Sequence, residues 1–395
     1  MSTNKVHVDC YYKSLHKHHE ELCGDKVEVR HNDEFYLMVL ADGLGSGVKA
    51  NILSTLTSTI ISEMMIEGCS IEEVVETITA TLPECKERKV AYSTFTILQV
   101  YYTGYARVVE FDNPSAIILR NHQEVKLEKT VKMYQQRNIS EATFEVRPND
   151  YIVFFSDGII HAGLGTVLNL GWEHENVVEH LLAYYKEEDT ANQVNDLLLC
   201  CVNDLYGGKC GDDSTVCVAR IIPQTETRVM VGPPISPEDD EVVVDKLMKA
   251  TGKKICCGGT TSNIVSRILN RVIDMDTLDS IVNDVPPIAK IQGLDLVSEG
   301  VLTLTKVNEH LKECVNDREY YENMMHSKQK DGASLMSKML IKECTKIVFM
   351  VGRSDNPAHS QFAYSTISLS AKLRLIQSIQ SSLHKLGKIV EIEHY

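Results

Sequence analysis

No apolar run in this 395-residue chain approaches the roughly 20 residues that a membrane-spanning helix requires. Its first segment, MSTNKVHVDCYYKSLHKHHEE, has no apolar core of the kind a secretory signal needs. Excess positive charge is missing too: 40 Lys and Arg against 55 Asp and Glu give a net charge of −15. So acidic a chain repels nucleic-acid phosphates and anionic lipid, so neither nucleic acid nor membrane is an expected partner. The expectation is a cytoplasmic protein. CxxC spacing, which lets two thiolates reach one tetrahedral zinc ion, does not occur among the twelve cysteines. Most cysteines lie in apolar strings such as DLLLCCVNDL and KKICCGG and read as small core residues. A loose set, Cys200, Cys201, Cys210 and Cys217, is left as a candidate sulfur site. Internal repeats and low-complexity linkers are absent.

What is present is ordinary globular composition, 43% apolar and 24% charged, at a length suited to about two domains. The first half carries β-branched and aromatic runs that predict strands: FYLMVLA (35–41), STFTILQVYY (93–102), YARVVEF (105–111), YIVFFSD (151–157) and STVCVARII (214–222). Between them, Ala50, Leu53, Leu56, Ile60 and Met64 recur at helical steps. Ser70 and Glu73, three residues apart, make a capping box for the next helix. Strands and helices fall in blocks, which predicts a layered α+β domain over residues 1–222. After IIPQTETR (221–228) the order becomes strand, helix, strand, helix. Ser236-Pro237-Glu238-Asp239 opens a helix that ends before Gly252. KKICCGG, LDLVSEG, KIVFMVG and KIVEIEH read as further strands, each but the last followed by a helix. A separate three-layer α/β domain is expected over 228–395.

The chemistry concentrates where strands of the first domain meet loops. Asp25 lies in Cys23-Gly24-Asp25, Asp42 in Ala41-Asp42-Gly43-Leu44-Gly45-Ser46-Gly47, Asp157 in Ser156-Asp157-Gly158, and Asp212 and Asp213 in Gly211-Asp212-Asp213-Ser214. Any one Asp-Gly after a strand is, alone, a turn. Several carboxylates on separate strands, with glycines beside them, form a donor set that hard Mg²⁺ or Mn²⁺ ions prefer. Two such ions about 4 Å apart orient and activate a water against phosphorus.

The blocks CGD (23–25), LADGLGSGVKA (40–50), YSTFTILQV (92–100), DNPSAIILRNHQEV (112–125), VFFSDGI (153–159) and GDDSTVCVAR (211–220) together resemble the stage II sporulation protein E (SpoIIE-type) branch of the PPM metal-dependent serine/threonine phosphatases. The resemblance covers about 20–222 and implies a β-sandwich flanked by helices (α-β-β-α) with a two-metal site at one edge. It implies that Asp42 bridges both Mn²⁺ or Mg²⁺ ions, that the Gly43 carbonyl binds one, and that Asp157 and Asp212 bind the other. Asp25 then acts through coordinated water or as a further ligand, and Asp213 is a weaker candidate. The implied substrate is a phosphorylated protein, such as a STAS-domain (anti-anti-sigma) regulator. Leu44 stands where many eukaryotic relatives carry a histidine, so the general acid is unassigned. His161, four residues beyond Asp157, is a candidate near neutral pH. The alternative is a catalytically silent scaffold that holds a partner.

For the second domain, loops at strand ends carry Gly232-Pro233-Pro234, Gly258-Gly259-Thr260-Thr261, Ser298-Glu299-Gly300 and Gly352-Arg353-Ser354-Asp355-Asn356. In a parallel sheet they converge on one edge, where Gly258, Gly259, Thr260, Thr261 and Glu299 become candidates for binding a small anion. A homodimerisation or docking module is the competing expectation.

Overall fold

The computed structural model describes residues 5–81, 93–134, 137–275, 288–354 and 369–395. Tyr92 of the third block, and Asp355 and Asn356 of the last loop, lie outside them. The chain divides into two compact units, residues 1–223 and 224–395, parting inside IIPQTETR.

The first unit is an α-β-β-α sandwich. Its six-stranded sheet runs, in spatial order, Asp25–His31, Phe35–Gly43, Ser93–Tyr101, Tyr105–Phe111, Arg137–Glu145 and Thr130–Tyr134, all antiparallel. The five-stranded sheet runs Val6–Leu15, Ser214–Pro223, Tyr151–Phe155, Ile117–Arg120 and Gln123–Glu124, again antiparallel. Alternation along each strand sorts the side chains. Leu37, Val39, Ala41, Phe95 and Ile97 pack against helices Gly47–Ile66 and Ile71–Thr81. Tyr151, Val153, Phe155, Val216 and Val218 pack against helices His174–Tyr184 and Ala191–Leu205. The intervening Met38, Leu40, Leu98, Ile152, Phe154 and Cys217 are equally buried and form the inner faces. Cys10 Sγ and Tyr36 Oη, one from each sheet, meet across that interior at 2.8 Å.

Two features depart from the sequence reading. Val6–Leu15 was not predicted as a strand, because VHVDCYYKSL has no clean alternation; its ten-residue register with Ser214–Pro223 makes it one. Helix Gly47–Ile66 also turns a partly different face inward. Ala50 and Leu53 are buried, but Leu56 is 45% exposed, beside exposed Val48 and Ile52. Ile60 and Met64 pack partly against the core, and Ser54, Thr57, Ser58 and Ser62 are buried on this helix beside Leu53, Ile61 and Met65. Their hydroxyls donate to carbonyls of Asn51, Leu53, Thr55 and Thr59, one turn back, so they need no other partner and let the helix lie close.

The second unit is a three-layer α/β domain. Five parallel strands stand in the order Leu296–Ser298, Lys254–Cys257, Glu226–Val231, Lys346–Val351, Ile389–His394. Asp274–Met275 and Ile288–Lys290 extend the first edge antiparallel. Helices Asp240–Met248 and Gly259–Leu269 cover one face. Val301–Asn316, Arg318–His326, Gly332–Lys342 and Leu369–Lys385 cover the other. Among the described residues no helix is long and apolar enough to cross a membrane.

Candidate metal centre

Both sheets of the first unit deliver aspartates to one end of the sandwich. Strand Phe35–Gly43 ends in Asp42 and Gly43. Strand Tyr151–Phe155 passes through Ser156 into the one-turn helix Asp157–Ile160. Asp212 and Asp213 immediately precede strand Ser214–Pro223. Asp42, Asp157, Asp212 and Asp213 line one cleft of about 280 Å³, together with Gly43, Leu44, Gly45, Ser93 and Thr94.

Asp25 is buried and does not line the cleft; it is the register partner of Asp42 on the neighbouring strand. Ser156 Oγ donates to Asp25 Oδ2 at 2.7 Å and accepts from the Thr215 amide at 2.9 Å, tying the two sheets together. Asp25 Oδ1 is buried without a hydrogen-bond partner among the described residues. Burial, aided by the Asp213 and Asp157 charges and opposed by hydrogen bonds from Thr215 and Ser156, pushes Asp25 up to about 7. Asp42 goes up to about 9, through burial and then the charges of Asp25, Asp157, Asp212 and Asp213. Asp157 is raised by burial and by Asp212. Oxygen donors alone, one buried carboxylate oxygen with no partner, and carboxylates held together against their repulsion fit a hard divalent cation. The carboxylates ring the cleft, and among the described residues no three His, Cys, Asp or Glu side chains gather into a ready coordination group. Cys200, Cys201, Cys210 and Cys217 form none either, and Cys217 is fully buried in the sheet.

Asp213 does something the sequence did not show. Its Oδ1 accepts from the Lys17 amide at 2.9 Å and its Oδ2 from the Gly24 amide at 2.8 Å, so one carboxylate pins both ends of the 17–24 loop. Asp212 Oδ1 accepts from the Asp213 amide at 3.1 Å and from Lys17 Nζ at 3.4 Å. Lys17 carried no signal in sequence, since HKHH is a polar stretch with no motif. Ser93 Oγ donates to the Asp42 carbonyl at 2.8 Å. Thr94 Oγ1 donates to Asn113 Oδ1 at 2.6 Å, which gives Asn113 of the fourth block its place beside the cleft.

The glycines are there for close packing. A Cβ on Gly43 would lie 2.1 Å from the Ala50 carbonyl oxygen, and one on Gly158 2.1 Å from that of Asp213. Neither residue has a positive φ. His161 does not line the cleft; its Nδ1 lies 3.8 Å from Asp157 Oδ2, beyond hydrogen-bond range, and its side chain is 47% exposed.

In the second unit Gly258, with φ of 105°, caps helix Gly259–Leu269, whose first turn contains Thr260 and Thr261. The Gly232 amide donates to Thr261 Oγ1 at 3.1 Å and the Gly258 amide to the Ser298 carbonyl at 2.9 Å, so the strand-end loops do meet. Glu299 Oε2 is buried without a partner among the described residues. Between the central strands Glu226–Val231 and Lys346–Val351, however, backbone fills the crevice. The Gly352 amide donates to the Val231 carbonyl at 3.0 Å, and a Cβ on Gly352 would lie 2.0 Å from the Pro233 carbonyl.

Residues 32–222 match the family model described as Stage II sporulation protein E (SpoIIE). No curated protein sequence matches the chain significantly. Similar solved structures include the SpoIIE phosphatase domain of Bacillus subtilis in a crystal form without domain swapping, at 17% identity over 56% of this chain and 95% of that one, TM-score 0.45. A second Bacillus subtilis structure, the SpoIIE PP2C phosphatase domain with a fragment of its regulatory domain, is 19% identical over 56% of this chain and 66% of that one, TM-score 0.49. The catalytic domain of the serine/threonine phosphatase PstP, in complex with two manganese ions, is 15% identical over 55% of this chain and 99% of that one, TM-score 0.37. With its motif blocks in that order on an α-β-β-α sandwich, the first unit of this chain is similar to the SpoIIE phosphatase family over residues 32–222.

Proposed function

We propose that the first unit is a metal-dependent phosphoserine/phosphothreonine protein phosphatase. One observation carries this reading: Asp42, Asp157 and Asp212, from three distant segments, line a single cleft beside the buried carboxylate of Asp25. Asp42, the Gly43 carbonyl, Asp157 and Asp212 are the groups that would hold two Mn²⁺ or Mg²⁺ ions, with Asp25 behind them. When bound, such ions supply Lewis acidity toward a phosphate ester and lower the pKa of a water. The chain's own part is to place the carboxylates. Ser156 fixes Asp25, Asp213 fixes the loop that borders Asp212, and Ser93 holds the backbone of Asp42. The resemblance to that family supports a substrate class of phosphoserine on a small STAS-type regulator.

The test is hydrolysis of an aryl phosphate with Mn²⁺, Mg²⁺ or EDTA, for wild type and for Asp42→Asn and Asp157→Asn. Divalent-dependent turnover that falls at least about 100-fold in both variants is expected, because the carboxamide keeps the shape and loses the charge. Full activity in EDTA would refute the reading. No turnover by a folded, Mn²⁺-binding wild type, even on a phosphorylated STAS protein, would leave the scaffold reading. Comparing that protein with small phosphate esters then tests substrate class; faster hydrolysis of a metabolite would overturn the protein-substrate assignment.

A further inference from the structure

We infer that the Lys17 ammonium is a resident counter-ion of the carboxylate cleft, one that a divalent cation must displace from Asp212. The inference rests on the reading that the cleft binds such cations.

The backbone beneath Lys17 is held at several points. Its amide donates to Asp213 Oδ1 at 2.9 Å, the His18 amide donates to the Cys210 carbonyl at 2.8 Å, and the Gly24 amide closes the loop on Asp213 Oδ2 at 2.8 Å. The side chain extends from that fixed base, placing Nζ 3.4 Å from Asp212 Oδ1. Among the described residues, none of those lining the cleft is a lysine or an arginine, and four of them are aspartates. Lys17 therefore brings positive charge to a ring of like charges whose members raise one another's proton affinity.

A divalent ion approaching Asp212 meets this ammonium at a distance where like charges repel strongly, even close to water. Metal and ammonium compete for the lone pairs of one carboxylate, and their like charges oppose sharing it. The lysine has the means to leave: its side chain is 34% exposed, and four methylenes carry a compact, well-hydrated charge that can swing into solvent. The metal-free protein gains a partial neutralisation that the metal-loaded one no longer needs, so apparent metal affinity is reduced by whatever the ion pair contributed. A pair this exposed contributes modestly, equivalent to about two- to fivefold in a binding constant.

A purely structural ion pair would behave differently: its loss would lower the melting temperature without tightening Mn²⁺ binding. Calorimetric titration of the full-length, metal-stripped chain with MnCl₂ separates the two. Lys17→Met, which keeps the apolar stem, should bind Mn²⁺ about two- to fivefold more tightly than wild type. Lys17→Arg, which keeps the charge, should stay near wild type. In parallel, acylation of Lys17 in the wild-type chain by an N-hydroxysuccinimide ester, read by peptide mass spectrometry, should speed up when Mn²⁺ saturates the protein. Unchanged or weaker Mn²⁺ binding in a folded Lys17→Met variant would overturn the inference while leaving the phosphatase reading intact. If Lys17→Met does not fold, the labelling arm decides, and a Lys17 reactivity that ignores Mn²⁺ overturns it. A wild-type chain that binds no Mn²⁺ would end both.

Discussion

Asp25 and Asp42 stand opposite each other as register partners, at the start of strand Asp25–His31 and near the end of its antiparallel neighbour Phe35–Gly43. Like charges facing each other across a strand pair repel, and burial multiplies the effect. Burial is the main cause of both shifts: Asp42 is held up to about 9 by burial and then by the charge of Asp25 and its neighbours, and Asp25 up to about 7 by burial and then by Asp213 and Asp157. This end of the sandwich therefore favours positive charge.

That relationship has a signature in pH. Asp42 has a folded pKa of about 9, well above the unfolded value of roughly 3.9. Its protonation stabilises the folded, metal-free chain fully below about pH 4, and that stability is lost as pH rises toward 9. Asn at this position does not ionise. In EDTA, Asp42→Asn should melt at least about 2 °C above wild type at pH 8, with the difference gone near pH 4. Thermal melts across that range measure it, and equal melting temperatures at pH 8 would contradict the electrostatic account.

Asp213 is predicted to matter through the backbone it holds. In Asp213→Asn the amide nitrogen must face one of the two N–H donors of Lys17 and Gly24, leaving it unpaired. A loss of about 1–3 kcal/mol in stability is expected, less any relief of charge repulsion. Hydrogen exchange should quicken at the Lys17 or Gly24 amide while strand Ser214–Pro223 stays protected. Unchanged exchange at both amides would remove the clamp.

Two glycines should respond oppositely to a methyl group. Gly43→Ala drives a Cβ to within 2.1 Å of a carbonyl oxygen, so the turn into helix Gly47–Ile66 must deform. A cost of about 1–3 kcal/mol, with loss of divalent-dependent activity, is expected. Gly259→Ala meets nothing within 4 Å, sits in the first turn of a helix, and should be neutral or stabilising by up to about 1 kcal/mol. Denaturant titration of both variants settles the contrast; equal effects would refute it.

His161 lies beside Asp157 but outside the cleft lining. His161→Ala is accordingly expected to keep kcat within about threefold of wild type. A proton donor contributes about 100-fold or more. A fall of that size, with loss of the acidic or basic limb of the pH–rate profile, would make His161 the general acid after all.

Much of this architecture was readable along the chain. Alternating β-branched runs marked the strands carrying Asp42 and Asp157, and Ser70 with Glu73 marked a helix start that the structure caps at 2.7 Å. Periodicity misled at Leu56, where small hydroxyl residues that satisfy themselves share the buried face with Leu53, Ile61 and Met65, a choice that apolar spacing does not encode. Strand Val6–Leu15 was hidden because half its residues are polar, and pairing with a strand more than 190 residues away makes it visible.

By itself the sequence determined which residues can carry the chemistry and in what order, because alternation, capping and turn preferences act over a few neighbouring positions. Only the tertiary structure decided how they divide the work. Asp25 became the buried partner of Asp42, Asp213 became a clamp, and Lys17 reached Asp212 across 195 residues of chain. Those relationships arise from strand register and from segments that meet only when both sheets close over the same interior. A carboxylate's role depends on which donors and charges arrive beside it, and local sequence holds no record of their arrival.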